Sequence, residues 1–125
     1  MKYLCLIYLD EEQLNAIPPK AMSDLNAAHL DYNDALRKTG HFLVAEALDP
    51  PKAARSVRVR QGKASVTDGP FTEAKEFVAG FYLLEAGSLD EAVAMAAKIP
   101  SAELGTIEVR PARPLIVEGR ELRWG

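Results

Sequence analysis

Apolar and polar positions alternate along the chain in a way that marks out two helices and six strands. Tyr3 to Leu9 is apolar at both parities, the pattern of a strand buried on both faces. Pro18 and Pro19 then open a helix, because proline is tolerated in the first turn. From about Ala21 to Lys38, Met22, Leu25, His29, Tyr32 and Leu36 follow one another at spacings of 3, 4, 3 and 4. That is a single helical stripe, with Asp24, Asn26, Asp31, Asn33 and Asp34 lying off it and Gly40 as the stop. His41 to Leu48 reads as a second strand, closed by Asp49-Pro50-Pro51.

The next segment changes period. "SVRVR" and "ASVT" alternate cleanly around Gln61-Gly62-Lys63, which predicts a hairpin with one dry and one wet face. Phe77 to Leu84 is again apolar at both parities. Ser88 and Glu91 form a capping box for a second helix to about Lys98, whose inner positions Ala92, Val93 and Ala96 are small enough for close approach to a sheet. Pro100 ends it, and "TIEVR" is the last core strand. The order is β-α-β, an inserted hairpin, then β-α-β: an α+β, ferredoxin-like split βαβ with an antiparallel sheet and two helices on one face.

Counting faces adds a partner. Two helices cover one side of the sheet, yet the strands at 3–9 and 77–84 are apolar on both. An open face of Leu, Val and Tyr exceeds what soluble monomers expose, so a homodimer through that face is expected. Residues 1–112 form the domain. In the tail, 113–125, Leu115, Val117, Leu122 and Trp124 alternate around Glu118-Gly119, as an edge strand or hairpin against the partner would.

Composition narrows the function classes. The chain has 125 residues, a net charge of −3 and 26% charged residues, so no basic field exists to draw nucleic acid or anionic lipid. Asp10, Glu11 and Glu12 cut short the apolar run after Lys2, so a signal peptide is not expected. No segment has the ~20 apolar residues of a membrane span, and the protein reads as cytoplasmic. Cys5 is alone within an apolar run, the setting of an inert buried thiol. Two histidines without clustered cysteines or spaced carboxylates give no metal site, and no glycine-rich phosphate loop is present.

One stretch stands apart: "VTDGPFTEAKE", Val66 to Glu76. Pro70 stiffens the chain there, and Phe71 is expected to drop into the core and pin a rigid corner that sets the register of the following strand. Asp68 and Thr72 are expected to satisfy local N–H groups, with Lys75 beside Glu73 or Glu76 at the surface. On the helix, His29 is the strongly polar member of an otherwise apolar stripe, so it faces the sheet. A half-buried imidazole there can serve as acid or base.

The run "DGPFTEAKE" followed by "VAGFYLLEA", with "MKYLCLIY" at the start and "IEVRPA" near the end, resembles the DGPF branch of the YCII-related proteins over about residues 1–112. The resemblance implies a dimeric ferredoxin-like fold with a cleft between the first helix and the sheet, and it implies no cofactor. It also implies a histidine–aspartate active-site pair and, in some relatives, elimination chemistry on small aromatic or chlorinated compounds. Members of the branch are often found beside extracytoplasmic-function sigma factors. The family histidine lies in an "HL" pair eleven residues before a glycine, which is His29-Leu30 before Gly40 here. The family aspartate precedes a proline after the second helix, where this chain has Ile99-Pro100.

A carboxylate to orient the imidazole must therefore come from elsewhere. Asp68 is the leading candidate, with Glu46 and Asp10 behind it, although Asp before Gly-Pro reads first as a turn former with no chemistry. Tyr32, Thr72 and Tyr82 are the expected substrate-binding residues of an aromatic-lined cleft. Two functions follow. One is an acid/base enzyme, lyase- or hydrolase-like, using His29 on an unknown small molecule. The other is a noncatalytic ligand-binding or regulatory module linked to a sigma factor.

Overall fold

The computed structural model describes residues 1–125. Strand β1 (Lys2–Asp10) alternates strictly: Tyr3, Cys5, Ile7 and Leu9 are buried, while Leu4, Leu6 and Tyr8 are half-buried on the opposite face. A short helix α1 (Glu11–Asn15), which the hydrophobic pattern does not predict, follows directly. Its start is nevertheless encoded, since Asp10 caps it by accepting from the Glu12 and Gln13 N–H groups at 2.8 and 3.3 Å, with Glu11 and Glu12 in the first turn. Helix α2 (Pro19–Lys38) starts on the expected proline and ends with Arg37 and Lys38 in its last turn.

Strand β2 (Phe42–Ala47), the hairpin β3 (Arg55–Arg60) and β4 (Lys63–Asp68), and strand β5 (Glu76–Glu85) come next. Helix α3 (Leu89–Ala96) is capped by Ser88, whose Oγ accepts from Glu91 N–H at 3.1 Å. The Glu91 carboxylate accepts from Gly87 N–H, one residue before the Ser88 N–H that a full capping box uses. Strand β6 (Thr106–Pro111) completes a four-stranded sheet in the order β2-β5-β1-β6, and β1 is antiparallel to both its neighbours, as β2 is to β5. This is the ferredoxin-like α+β arrangement expected from the element order. The last residues form a small hairpin, β7 (Leu115–Val117) and β8 (Arg120–Leu122).

The core lies between the sheet and α2 with α3. Cys5, Ile7, Leu9, Tyr82 and Leu84 from the strands meet Leu36 of α2 and Ala96 of α3, with Ile99 closing the end. The helix face of α3 is narrower than expected: Ala92 and Ala96 are buried, but Val93 is 48% exposed. Burial pushes the Cys5 thiol up to about 11, which leaves it protonated and unreactive. The sheet's other face carries Leu4, Leu6, Tyr8, Phe81 and Leu83, all half-buried and without a covering helix.

The hairpin β3–β4 forms its own two-stranded sheet, apart from the main one. Gln61 and Gly62 make a two-residue connection with φ of 51° and 74°, the left-handed turn that suits the twist of a hairpin. Its alternation is as predicted, but both faces are exposed, including Val57, Val59 and Val66. The expected plug is also absent. Phe71 is 77% exposed, with the Arg58 guanidinium 5.3 Å from its ring centroid. The reason is geometric: the hairpin stands off the sheet, so a corner at its foot has no core beneath it.

Candidate functional site

A cavity of about 520 Å³ opens between α2 and the β2–β5 edge of the sheet, with walls that are mostly aliphatic. Its floor is Ile7, Leu9, Ala45, Ala79 and Gly80, and α1 contributes Leu14. Gly80 is there because β2 passes close over it: a Cβ at position 80 would lie 2.8 Å from the Glu46 carbonyl oxygen. Met22, Leu25, His29, Leu30 and Asn33 of α2 form one wall, and Tyr82 and Ser101 stand at its inner end.

His29 sits at the meeting point of three elements. Its Nδ1 is 2.8 Å from the Tyr82 hydroxyl of β5, and its Nε2 is 2.7 Å from the Ser101 Oγ. Ser101 is buried in a short 3-10 turn, Pro100–Glu103. Each hydroxyl can donate or accept, so either neutral tautomer of the imidazole is fully bonded. Burial holds the His29 pKa below its ordinary value near 6.5, and the ring is neutral at pH 7. A carboxylate partner would push the other way, toward imidazolium.

Tyr82 is held by neighbours on every side. The His29, Tyr32 and Phe42 rings lie 5.9, 6.5 and 6.4 Å away, the last edge-on at 86°. Burial, with a smaller contribution from the Tyr32 phenol, pushes its pKa up to about 12. The phenol therefore keeps its proton and acts as a donor or relay, not as a standing base. Tyr32 turns its own hydroxyl to the Met95 carbonyl at 2.6 Å. It braces Tyr82 and does not line the cavity.

The other expected site residues lie elsewhere. Asp68 ends β4 with its side chain 88% exposed, paired to Arg55 at 3.0 Å across the hairpin. It does not reach the cavity of His29, nor does it cap the following turn, where Gly69 N–H bonds to the Ala54 carbonyl and Ser56 Oγ to the Gly69 carbonyl. Thr72 is exposed on the loop after it. Lys75 pairs with Asp10 at 3.6 Å and not with Glu73 or Glu76. Asp10 is occupied as the α1 cap, and of the three acids considered beside His29 only Glu46 borders the cavity. Ile99, at the position where an acid was sought, is 1% exposed in the core.

Two residues escaped the sequence reading. Ser101 lies 72 positions from His29 and looks like an ordinary residue after a helix-ending proline. The signal available was its place, two residues beyond Ile99. Asn33 stands one helical turn after His29 on the same face of α2, is 9% exposed, and its Oδ1 has no hydrogen-bond partner. The rule that places polar residues on the outer face of a helix assigns it to solvent.

Comparison with known proteins agrees with this architecture. An uncharacterised protein of Rhizobium meliloti (strain 1021), R00369, is 38% identical over 117 residues, covering 89% of this chain and 91% of its own. Among solved structures, 5-chloro-2-hydroxyhydroquinone dehydrochlorinase (TftG) from Burkholderia phenoliruptrix AC1100, in complex with 2,5-dihydroxybenzoquinone, superposes with a TM-score of 0.52 at 20% identity, over 91% of this chain and 95% of that one. At that identity the likeness is one of fold. The model of the YCII-related domain matches residues 1–116, nearly the whole length, and the chain belongs to that family.

Proposed function

We propose that the cavity binds a small ring compound and that His29 is the acid/base residue of a lyase-like reaction on it. The observation that carries this reading is the imidazole held between two hydroxyls, 2.8 and 2.7 Å away, at the end of an aliphatic cavity. A neutral imidazole is a competent base at pH 7. With Nδ1 unprotonated, the Tyr82 hydroxyl donates to it. A ligand hydroxyl meeting Tyr82 Oη then loses its proton to that oxygen as Tyr82 passes its own to Nδ1, leaving a ligand anion beside an imidazolium. The imidazolium then returns a proton to the ring carbon that bears the leaving group, giving a ketone. Loss of a proton from a second ring hydroxyl drives that group out as an anion and leaves a quinone. The dehydrochlorinase of like fold gives the reaction type its support.

The test is a panel of hydroxylated and chlorinated ring compounds, scored first by the shift in unfolding midpoint and then by release of the leaving group. A ligand of the folded state raises the midpoint with its concentration. Turnover in the native chain and its loss in His29→Gln are expected. A panel that leaves the midpoint unmoved sinks the reading.

A second reading rests on Ser101. Both ring nitrogens of His29 are bonded to neutral hydroxyls and not to a carboxylate. This favours a binding module without chemistry, whose ligand-bound form meets a protein such as an extracytoplasmic-function sigma factor. Saturable binding with no product from any panel member distinguishes it. Under either reading the chain acts as a homodimer through the half-buried face of Leu4, Leu6, Tyr8, Phe81 and Leu83, with the β7–β8 hairpin alongside. Trp124, 90% exposed beyond that hairpin, supports this. A stable monomer at micromolar concentration in sedimentation would count against it.

A further inference from the structure

We propose that Asn33 reads a hydroxyl of the ligand and restricts the cavity to uncharged compounds, an inference that rests on the cavity being a ligand site. Asn33 is 9% exposed and lines the cavity, and its Oδ1 has no partner within the protein. Buried side-chain amides are almost always bonded, because an unpaired one forfeits its interactions with water and gains nothing in exchange. Every requirement of the fold at this position would be met by an aliphatic residue, as Leu36 meets it one turn further on. The Oδ1 is closed to water and the Nδ2 end meets the cavity, so a half-turn of the amide about its last bond gives the unpaired oxygen a complement at the cavity wall.

The spacing defines what that complement is. Asn33 follows His29 by four residues, so the two side chains stand roughly 5–6 Å apart along the same face of α2. A small ring with oxygen substituents on opposite sides spans that distance, one oxygen at the His29–Tyr82 pair and the other at the amide. An amide offers both an N–H donor and a carbonyl acceptor, and a hydroxyl satisfies either. The remaining polar wall is His29, Tyr82, Ser101 and Asn26, all neutral at pH 7, since Glu46 pairs with Phe81 on the other face of the sheet and turns its backbone carbonyl over Gly80. A carboxylate or phosphate on the ligand would be taken out of water and meet no cation there.

Three probes of one ring separate these requirements: hydroquinone, 4-methoxyphenol and 4-hydroxybenzoate. They differ at one position, as a hydroxyl, a methyl ether and an anion. Dissociation constants are measured by calorimetry on the native chain and on Asn33→Leu, which keeps the heavy-atom count and removes the polar pair. Hydroquinone is expected to bind the native chain best and 4-hydroxybenzoate worst. Asn33→Leu should weaken hydroquinone at least ~10-fold, erase its advantage over 4-methoxyphenol, and raise the unfolding midpoint by a few degrees. Asn33→Ala, which cannot overpack, should erase the same advantage if the leucine variant folds poorly. The proposal is overturned if the hydroquinone advantage survives in both variants, or if 4-hydroxybenzoate binds the native chain as tightly as hydroquinone. If His29→Gln abolishes binding while the Asn33 variants leave the ranking intact, the site stands and the role of Asn33 falls. If none of the three binds the native chain, both fall together.

Discussion

The cavity around His29 and the loop after β4 make opposite uses of unusual residues. In the cavity, an inconspicuous half-buried histidine meets a buried serine after a proline and a buried asparagine, packed by three elements. In the loop, a conspicuous run of Asp, Gly, Pro and Phe lies at the surface, with Phe71 77% exposed and the Asp68 side chain 88% exposed. Distinctive residues therefore mark a rigid piece of chain, whereas chemistry depends on which elements converge. Rigidity comes from local φ restriction, and a pKa shift comes from burial that only the whole fold supplies.

The sharpest way to break the contrast is by stability. Leu84 is fully buried, so Leu84→Ala should cost about 3 kcal/mol in urea unfolding. Phe71→Ala should cost less than ~0.5 kcal/mol despite removing a larger side chain. A comparable loss at Phe71 would mean that its ring is covered in solution, most simply by a second chain. Activity gives the next contrast. His29→Gln should lower turnover by at least ~100-fold, the usual contribution of a positioned acid/base group. Asp68→Asn should stay within roughly twofold. Turnover lost in Asp68→Asn with stability intact would bring the loop back into the mechanism.

The pH dependence of stability is a finer probe of the cavity. Because burial lowers the His29 pKa in the folded chain, the unfolded chain binds more protons just below 6.5. Stability from this group is complete above that value and is lost as pH falls toward the folded-state pKa. The two groups bonded to the ring, Tyr82 and Ser101, are hydroxyls that stay neutral in that window, and burial pushes the Tyr82 phenol up to about 12. Urea midpoints should thus fall with acidification in the native chain and fall less in His29→Gln; parallel curves would remove the buried imidazole as the cause. The smallest expected effect is at Asp68→Ala. Its ion pair with Arg55 is open to water, and its loss should cost no more than about 0.5 kcal/mol.

These contrasts also explain which parts were legible in the sequence. The four core strands follow from two features of the chain, apolar runs at both parities and strict alternation, and both survive into the sheet. His29 was legible because a polar residue inside an apolar stripe has to face the sheet. Asn33 was not, since the rule that places polar residues outward fails where a cavity replaces the core. Ser101 was invisible for a different reason: its role exists only once residues 72 apart are brought within hydrogen-bond distance. The hairpin shows the converse error. Its alternation fixed the strands and their register but carried no information on whether anything covers the dry face.

Strand β2 lies at the edge of the sheet and contains no fully buried residue, and α1 contains none either. Yet both wall the cavity, through Ala45, Ala47 and Leu14. The polar groups, by contrast, come from α2, β5 and the turn at Ser101, which also hold the core together. The size of the cavity and its chemistry are thus written in separate parts of the chain. Substitutions in β2 or α1 can reshape the space at little thermodynamic penalty while the hydroxyl–imidazole–hydroxyl array stays in place. Such a scaffold is suited to drift from one ligand to another: the positions that cost least to change set what fits, and those bound into the core set what happens to it.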